Sequence, residues 1–284
     1  MNLSEAWPLY EQDITLRGYS EVTIGNYRTQ YNVLTRYFGG EVDMNDISLP
    51  MLKQYYIEKG RKLKPSSLGQ RMRANKALFR WASDEGYTNM NPASKLREPK
   101  KGKKIPKAIK DEDIEKMRRA CKTARQSALF EFLYSTGCRV SEVKELNQNN
   151  LDFDSRSCIV HGKGDKEREV YFSVGAKIQI KLYLDSREDT EDALFVTDRR
   201  VNGKFHRISV DCIRRDIENL GKWAGIKEHT NPHRLRHTYA THLLNKGAPL
   251  EVVQDLMGHV RIETTKIYCQ LSGERRREQY RKYF

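Results

Sequence analysis

The 284-residue sequence predicts a mainly α-helical protein in two parts, an all-helical first domain and an α+β second domain with a small antiparallel sheet. Three observations predict it. Apolar residues recur at helical spacing through most of the chain. Two short runs, 157–161 and 167–172, alternate or run apolar around a glycine-containing turn. A proline- and glycine-interrupted lysine stretch, PKKGKKIPKAIK at 99–110, separates the halves. Domains split at roughly 100–150 residues, so the length suits two cores.

The first helix is expected over 4–16. A second follows Ser20 as cap, with Val22, Tyr27, Tyr31, Leu34 and Phe38 on its apolar side. A third covers 49–59, and a fourth 66–85, with Ser66 as cap after Pro65 and a stop near Gly86. The fourth should bury Leu68, Met72, Leu78 and Phe79. Residues 1–98 are thus read as the helical domain, 99–110 as a basic linker and 111–284 as the second domain.

In the second domain, helices at 111–123 and 127–135 lead to Gly137, which breaks the helix, and Ser141, which can cap the next; Arg139 falls just before that cap. The segment HGKGDKE then forms a turn that puts Lys163 at a β-hairpin tip. Helices follow at 176–186, 209–223, 233–246, ending at Gly247, and 249–256, beginning at Pro249. The last residues, GERRREQYRKYF, read as a short basic helix whose aromatic residues dock on a neighbouring subunit.

Hydrophobic residues make up 38% and charged residues 32%, which describes a soluble globular chain with a highly charged surface. The net charge of +14 favours a polyanionic partner, because Lys and Arg on phosphates release condensed counterions. Nucleic acid is the leading expected partner. No apolar run of about 18 residues, amphipathic lysine-rich helix or lipidation signal points to a membrane. The N-terminus, MNLSEAWPLYEQD, has no signal-peptide pattern, so a cytoplasmic location is expected. Five widely spaced cysteines without a CxxC pair are expected to be free, mostly packed thiols, with no metal.

Charge is unevenly placed. Residues 1–98 carry 14 basic and 11 acidic side chains, whereas 99–110 carries six lysines and no acid. Between Lys59 and Arg80 there are eight basic residues and no acidic one. With no balancing acid in that stretch, Lys64, Arg71, Arg73, Lys76 and Arg80 are the expected DNA-binding residues, ahead of the alternative of a solvated helix face.

Five short segments occur in a fixed order: TGCRVSE, HGKGDK, NPHRLRHTYATHLL, LMGH and TTKIYCQ. With them the chain resembles the tyrosine recombinase, or phage integrase, family. The resemblance implies active-site positions at Arg139, Lys163, His233, Arg236, His259 and the nucleophile Tyr268, with Glu142 orienting a neighbour. Met257 replaces the more usual leucine of the fourth segment. It further implies a 3′-phosphotyrosyl intermediate, a Holliday junction, no cofactor, and a homotetramer on double-stranded DNA with inverted-repeat core sites, one dimer per site.

The chemistry is sound without the name. A phosphodiester under attack gains charge on its non-bridging oxygens, and two always-charged guanidiniums can clamp them. A phenol with a pKa near about 10 must lose its proton as it attacks, which His233 can take as base. The leaving 5′ oxygen needs a proton, and Lys163 can supply it as general acid. Taken singly, each residue has a plainer reading, such as an Arg139–Glu142 surface pair; His233 and His237, four apart, lack a third metal ligand.

Two other functions compete: a type IB topoisomerase, and a DNA-binding regulator that kept the fold. The complete set of active-site positions argues against the regulator. Since the helical pattern begins almost at Met1, the N-terminal arm-binding domain of larger phage integrases is expected to be missing. The expected role is resolution of transposon cointegrates, with mobile-element integration and chromosome-dimer resolution as alternatives.

Overall fold

In the first 60 residues the chain already forms three α-helices, the first two begun by side chains that accept from free backbone N–H groups. The computed structural model describes residues 1–100, 107–162, 167–258 and 280–281. Helix α1 spans Leu3–Leu16, where the Asn2 side chain accepts from the Glu5 N–H and the Glu5 carboxylate accepts from the Asn2 N–H. Helix α2 spans Glu21–Phe38 behind Ser20, as expected. Val22, however, is 75% exposed. The packed side of α2 follows Ile24, Tyr27, Tyr31, Leu34 and Phe38, a 3-4-3-4 spacing that Val22 does not fit.

Helix α3 spans Leu49–Gly60 and α4 spans Pro65–Asp84. Ser66 is not the cap: Lys64 holds that position and Pro65 opens the helix, since proline has no N–H to leave unsatisfied. Leu34, Tyr55, Leu78 and Phe79 are buried in the shared core, and Trp7 stacks on Tyr31 at 4.9 Å between ring centroids.

The chain divides into two compact units, Met1–Lys104 and Ile105–Phe284. The end of the lysine-rich stretch packs within the second: Ile109 is buried and its N–H donates to Thr238 Oγ1 at 2.9 Å.

In that unit, α5 spans Asp111–Arg119 and α6 spans Ala124–Thr136. The helix expected to reach 123 stops earlier because Thr123 caps α6, accepting from the Gln126 N–H at 3.2 Å. Helix α7 is Val140–Glu145. Strands β1 (Leu151–Asp152), β2 (Ser157–His161) and β3 (Glu167–Tyr171) form an antiparallel sheet in that order, with β1 not anticipated. His161 pairs with Glu167, so Lys163 belongs to the connection between them and lies outside the described residues.

Helices α8 (Val174–Asp185), α9 (Val210–Trp223), α10 (Pro232–Asn245) and α11 (Leu250–Met257) follow. Helix α6 packs against both α8 and α10, which explains its burial on every side, with Leu129, Phe130, Phe132 and Leu133 all enclosed. The fold is mainly α with one small antiparallel sheet. Among the described residues no helix is long and apolar enough to cross a membrane. Cys138 and Cys158 are buried and Cys121 and Cys212 half-buried, all four free; Cys269 lies outside the described residues, as does the expected terminal helix apart from helical Tyr280 and Arg281.

Candidate active site

Helix α6 ends at Gly137, whose φ of +62° is the left-handed conformation that favours glycine. A side chain there would also collide with the Tyr239 ring. The turn delivers Arg139 to the start of α7. Arg139, not Ser141, occupies the cap position, because the Glu142 carboxylate reaches back to accept the Arg139 N–H at 2.7 Å. The same carboxylate accepts from Arg139 Nη1 at 2.7 Å, and Arg139 Nη2 donates to the Gly258 carbonyl at 3.1 Å.

Helix α10 supplies the next two groups. Asn231 caps it, accepting from the Arg234 N–H at 2.8 Å, and Pro232 opens it, so His233 and Arg236 follow on one face, three residues apart. Arg236 is 5% exposed; its Nη1 donates to the Gly137 carbonyl at 2.5 Å and its Nη2 to the Met257 carbonyl. Burial, then Arg139 alongside, pushes its pKa down to about 10, which leaves it charged at neutral pH.

Arg139, His233 and Arg236 therefore line one cleft of about 220 Å³, with Arg214 and Glu218 of α9 on its wall. Crowding by the protein, then Arg236, Arg214 and Arg139, lowers the His233 pKa below the ordinary imidazole value. At neutral pH the ring is neutral and can take a proton. Cationic donors beside a neutral imidazole suit an anion that gains charge during reaction.

Glu142 and the end of α11 hold this arrangement. Burial alone would raise the Glu142 pKa, but the Arg168 side chain, the Arg139 N–H and the Arg139 guanidinium together hold it below the usual carboxylate range. A helix leaves its last carbonyls without partners in the helix, at the negative end of its dipole. In α11, Arg168 takes the carbonyl of Leu256, Arg236 that of Met257 and Arg139 that of the following Gly258.

Sequence reasoning missed Arg168 and Arg214. Arg168 was detectable, because strand alternation puts it on the same face of β3 as buried Val170. A charge on that face requires a partner. Arg214 carried no comparable signal. His259 and Tyr268 lie outside the described residues. His237 is buried in α10, and among the described residues no group of three or more His, Cys, Asp or Glu side chains is placed to hold a metal ion.

Of the expected DNA-binding residues, Lys64 is exposed. The others have partners within the first unit. Arg71 donates to Gln30 Oε1 and the Lys59 carbonyl, Lys76 to the Leu96 carbonyl at 3.0 Å, Arg73 pairs with Glu98 and Arg80 with Asp84. Two acids from neighbouring segments, Glu98 and Asp84, thus pair with cations of 59–80.

Residues 107–275 match the phage integrase family. The chain is 35% identical to the tyrosine recombinase XerC of Corynebacterium glutamicum, covering 93% of this chain and 86% of that one. It is 31% identical to the tyrosine recombinase XerC of Oceanobacillus iheyensis, over 93% and 90% respectively. Among solved structures it resembles the Tn1549 transposon integrase in complex with a circular intermediate DNA, with TM-score 0.78, 18% identity and all of both chains covered, a likeness of fold. The chain belongs to the phage integrase family, the tyrosine recombinases.

Proposed function

We infer that the chain is a site-specific recombinase of double-stranded DNA that cuts by attack of Tyr268 on a backbone phosphate, leaving a 3′-phosphotyrosyl bond and a free 5′ hydroxyl. Arg139 and Arg236 clamp the phosphate, His233 takes the phenolic proton, Lys163 protonates the leaving oxygen and His259 donates a hydrogen bond to the phosphate. Attack by the 5′ hydroxyl of a partner duplex reverses the chemistry, so the bond energy is retained and no cofactor enters. Two such exchanges pass through a Holliday junction, in a homotetramer on inverted-repeat core sites. The observation that carries this reading is the convergence of Arg139, His233 and Arg236, from two separate motifs, on one cleft.

The first unit serves as the core-DNA-binding domain, with Lys64, Arg71, Arg73, Lys76 and Arg80 on the contact surface; Arg73 and Arg80 are exposed and keep N–H donors beyond their ion pairs for phosphate. Similarity over most of their length to proteins named XerC supports chromosome-dimer resolution in preference to transposon cointegrate resolution. A location in the cytoplasm accords with that role.

A duplex nicked near the cleavage point tests the chemistry, because the released fragment diffuses away and the covalent adduct accumulates. Wild type is expected to form an adduct that survives denaturation, and Tyr268→Phe none. No adduct with wild type, or an adduct with Tyr268→Phe, would sink the proposal, while relaxation of supercoiled DNA without exchange would mark a topoisomerase. The pH dependence follows from His233. Its neutral form is the base, and its pKa lies below the usual imidazole value, so the adduct rate should be level through neutral pH and decline only in the acid range below that usual value. In His233→Asn that acid limb should vanish along with most of the rate; a limb centred above neutrality in wild type would contradict the assignment.

A further inference from the structure

The mechanism above assigns no role to Arg168, which lies beside the cleft's Arg236 and the Glu142 carboxylate. Its side chain is only 11% exposed. Nη1 and Nη2 donate to the two oxygens of Glu142, each at 2.8 Å, while Nε donates to the Leu256 carbonyl at 3.1 Å. The contact with α11 is close. A Cβ added at Gly258 would stand 2.9 Å from Arg168 Cδ, so the turn ending α11 rests on this side chain.

One guanidinium thus joins three separate parts of the chain: strand β3, the Glu142 carboxylate that fixes Arg139, and the last turn of α11. The two carbonyls after Leu256 are those taken by Arg236 and Arg139. In sequence, His259 follows Gly258 directly and Tyr268 comes nine residues later. The geometry points to Arg168 as a positioning residue that fixes Arg139 against the end of α11, and thereby sets the register between the phosphate-clamping arginines and the segment bearing the nucleophile. This rests on the recombinase reading given above. Arg168 itself touches no substrate.

The plainer alternative is that Arg168 only neutralises a buried carboxylate. The two roles separate chemically. Lysine at 168 would keep the positive charge beside Glu142, but a single ammonium cannot hold both carboxylate oxygens in a planar fork and also donate sideways to the Leu256 carbonyl. A neutralising role survives that change, and a positioning role does not.

The test uses full-length wild type and Arg168→Lys, with melting temperature, core-duplex Kd and the single-turnover adduct rate on nicked duplex at saturating protein measured separately. The expected result for Arg168→Lys is melting and Kd close to wild type, with an adduct rate about 10- to 100-fold lower, the scale of a small misplacement of reacting groups. An adduct rate within about 2-fold of wild type, or a loss that only tracks weaker binding, overturns the proposal. Should Arg168→Lys fail to fold, the double variant Glu142→Gln/Arg168→Gln removes both charges of the buried pair, and Arg139, which also loses its carboxylate partner, keeps a side chain 32% exposed to solvent. The same rate loss at unchanged Kd is expected there, and a wild-type rate would overturn the proposal. If wild type forms no adduct at all, the recombinase mechanism fails; if only the variants behave like wild type, the inference fails alone.

Discussion

Arg236→Lys is expected to lower the adduct rate about 100- to 1,000-fold, the range for loss of an oriented donor to a developing oxyanion, while core-duplex Kd shifts only a few-fold. Arg236 is nearly enclosed, and its two terminal nitrogens hold the Gly137 and Met257 carbonyls at the ends of α6 and α11. The planar group is thereby fixed before any phosphate arrives, and fixed donors need no reorganisation as charge develops. Lysine concentrates its charge on one nitrogen at the end of a flexible stem, so it cannot hold both carbonyls and present a second donor to phosphate. Burial and Arg139 already lower the pKa of the native group; a lysine, with a lower starting value, would be pushed closer to neutrality. Most DNA affinity comes from many surface cations, which this change leaves in place. The measurement is single-turnover adduct formation at saturating protein, and a rate within about 3-fold of wild type would refute the clamp role.

The second large effect falls on stability. Glu142→Ala should destabilise the second unit by about 3–5 kcal/mol, because one buried carboxylate is removed while Arg168 and Arg139 remain without it. The melting temperature should drop by roughly 6–20 °C for a unit of this size. The pH dependence of stability has a definite sign. Glu142 has a lowered pKa in the folded state, so its contribution is complete above the unfolded carboxylate value and is lost as pH falls through the folded one. Wild type should lose this increment in the acid range below the ordinary glutamate pKa, whereas Glu142→Ala has none to lose. Thermal melts of both proteins from neutral to acid pH check this, and parallel curves would contradict it.

How much was legible in the sequence follows from what each residue depends on. The core helices α2 and α4 were readable from local spacing, and Ser20 from its own hydroxyl. Caps went wrong where a distant or later atom decided the matter: Pro65 starts α4 through its missing N–H, and Glu142 moves the start of α7 back to Val140. Arg139, His233 and Arg236 were found through ordered motifs, yet nothing local showed that all three arginines around Glu142 and α11 hold successive backbone carbonyls. That requires tertiary structure, as does the pairing of Arg73 with Glu98; Arg80 pairs with Asp84 one helical turn on, just past the stretch in which no acid was counted. Arg168 lay between, hidden by the charges of EREVY but marked by sharing a face with Val170.

The nucleophile can be assigned most directly by digesting the trapped adduct and locating the nucleotide-bearing peptide by mass spectrometry. The sequence holds 15 tyrosines, and Tyr239 lies nearest in kind, packed against Gly137 beside the arginines. Burial pushes its pKa up to about 12, so its phenol is poorly disposed to lose a proton. The nucleotide is expected on the peptide containing Tyr268, joined through a 3′ phosphate; its recovery on Tyr239 or any other tyrosine would contradict the mechanism.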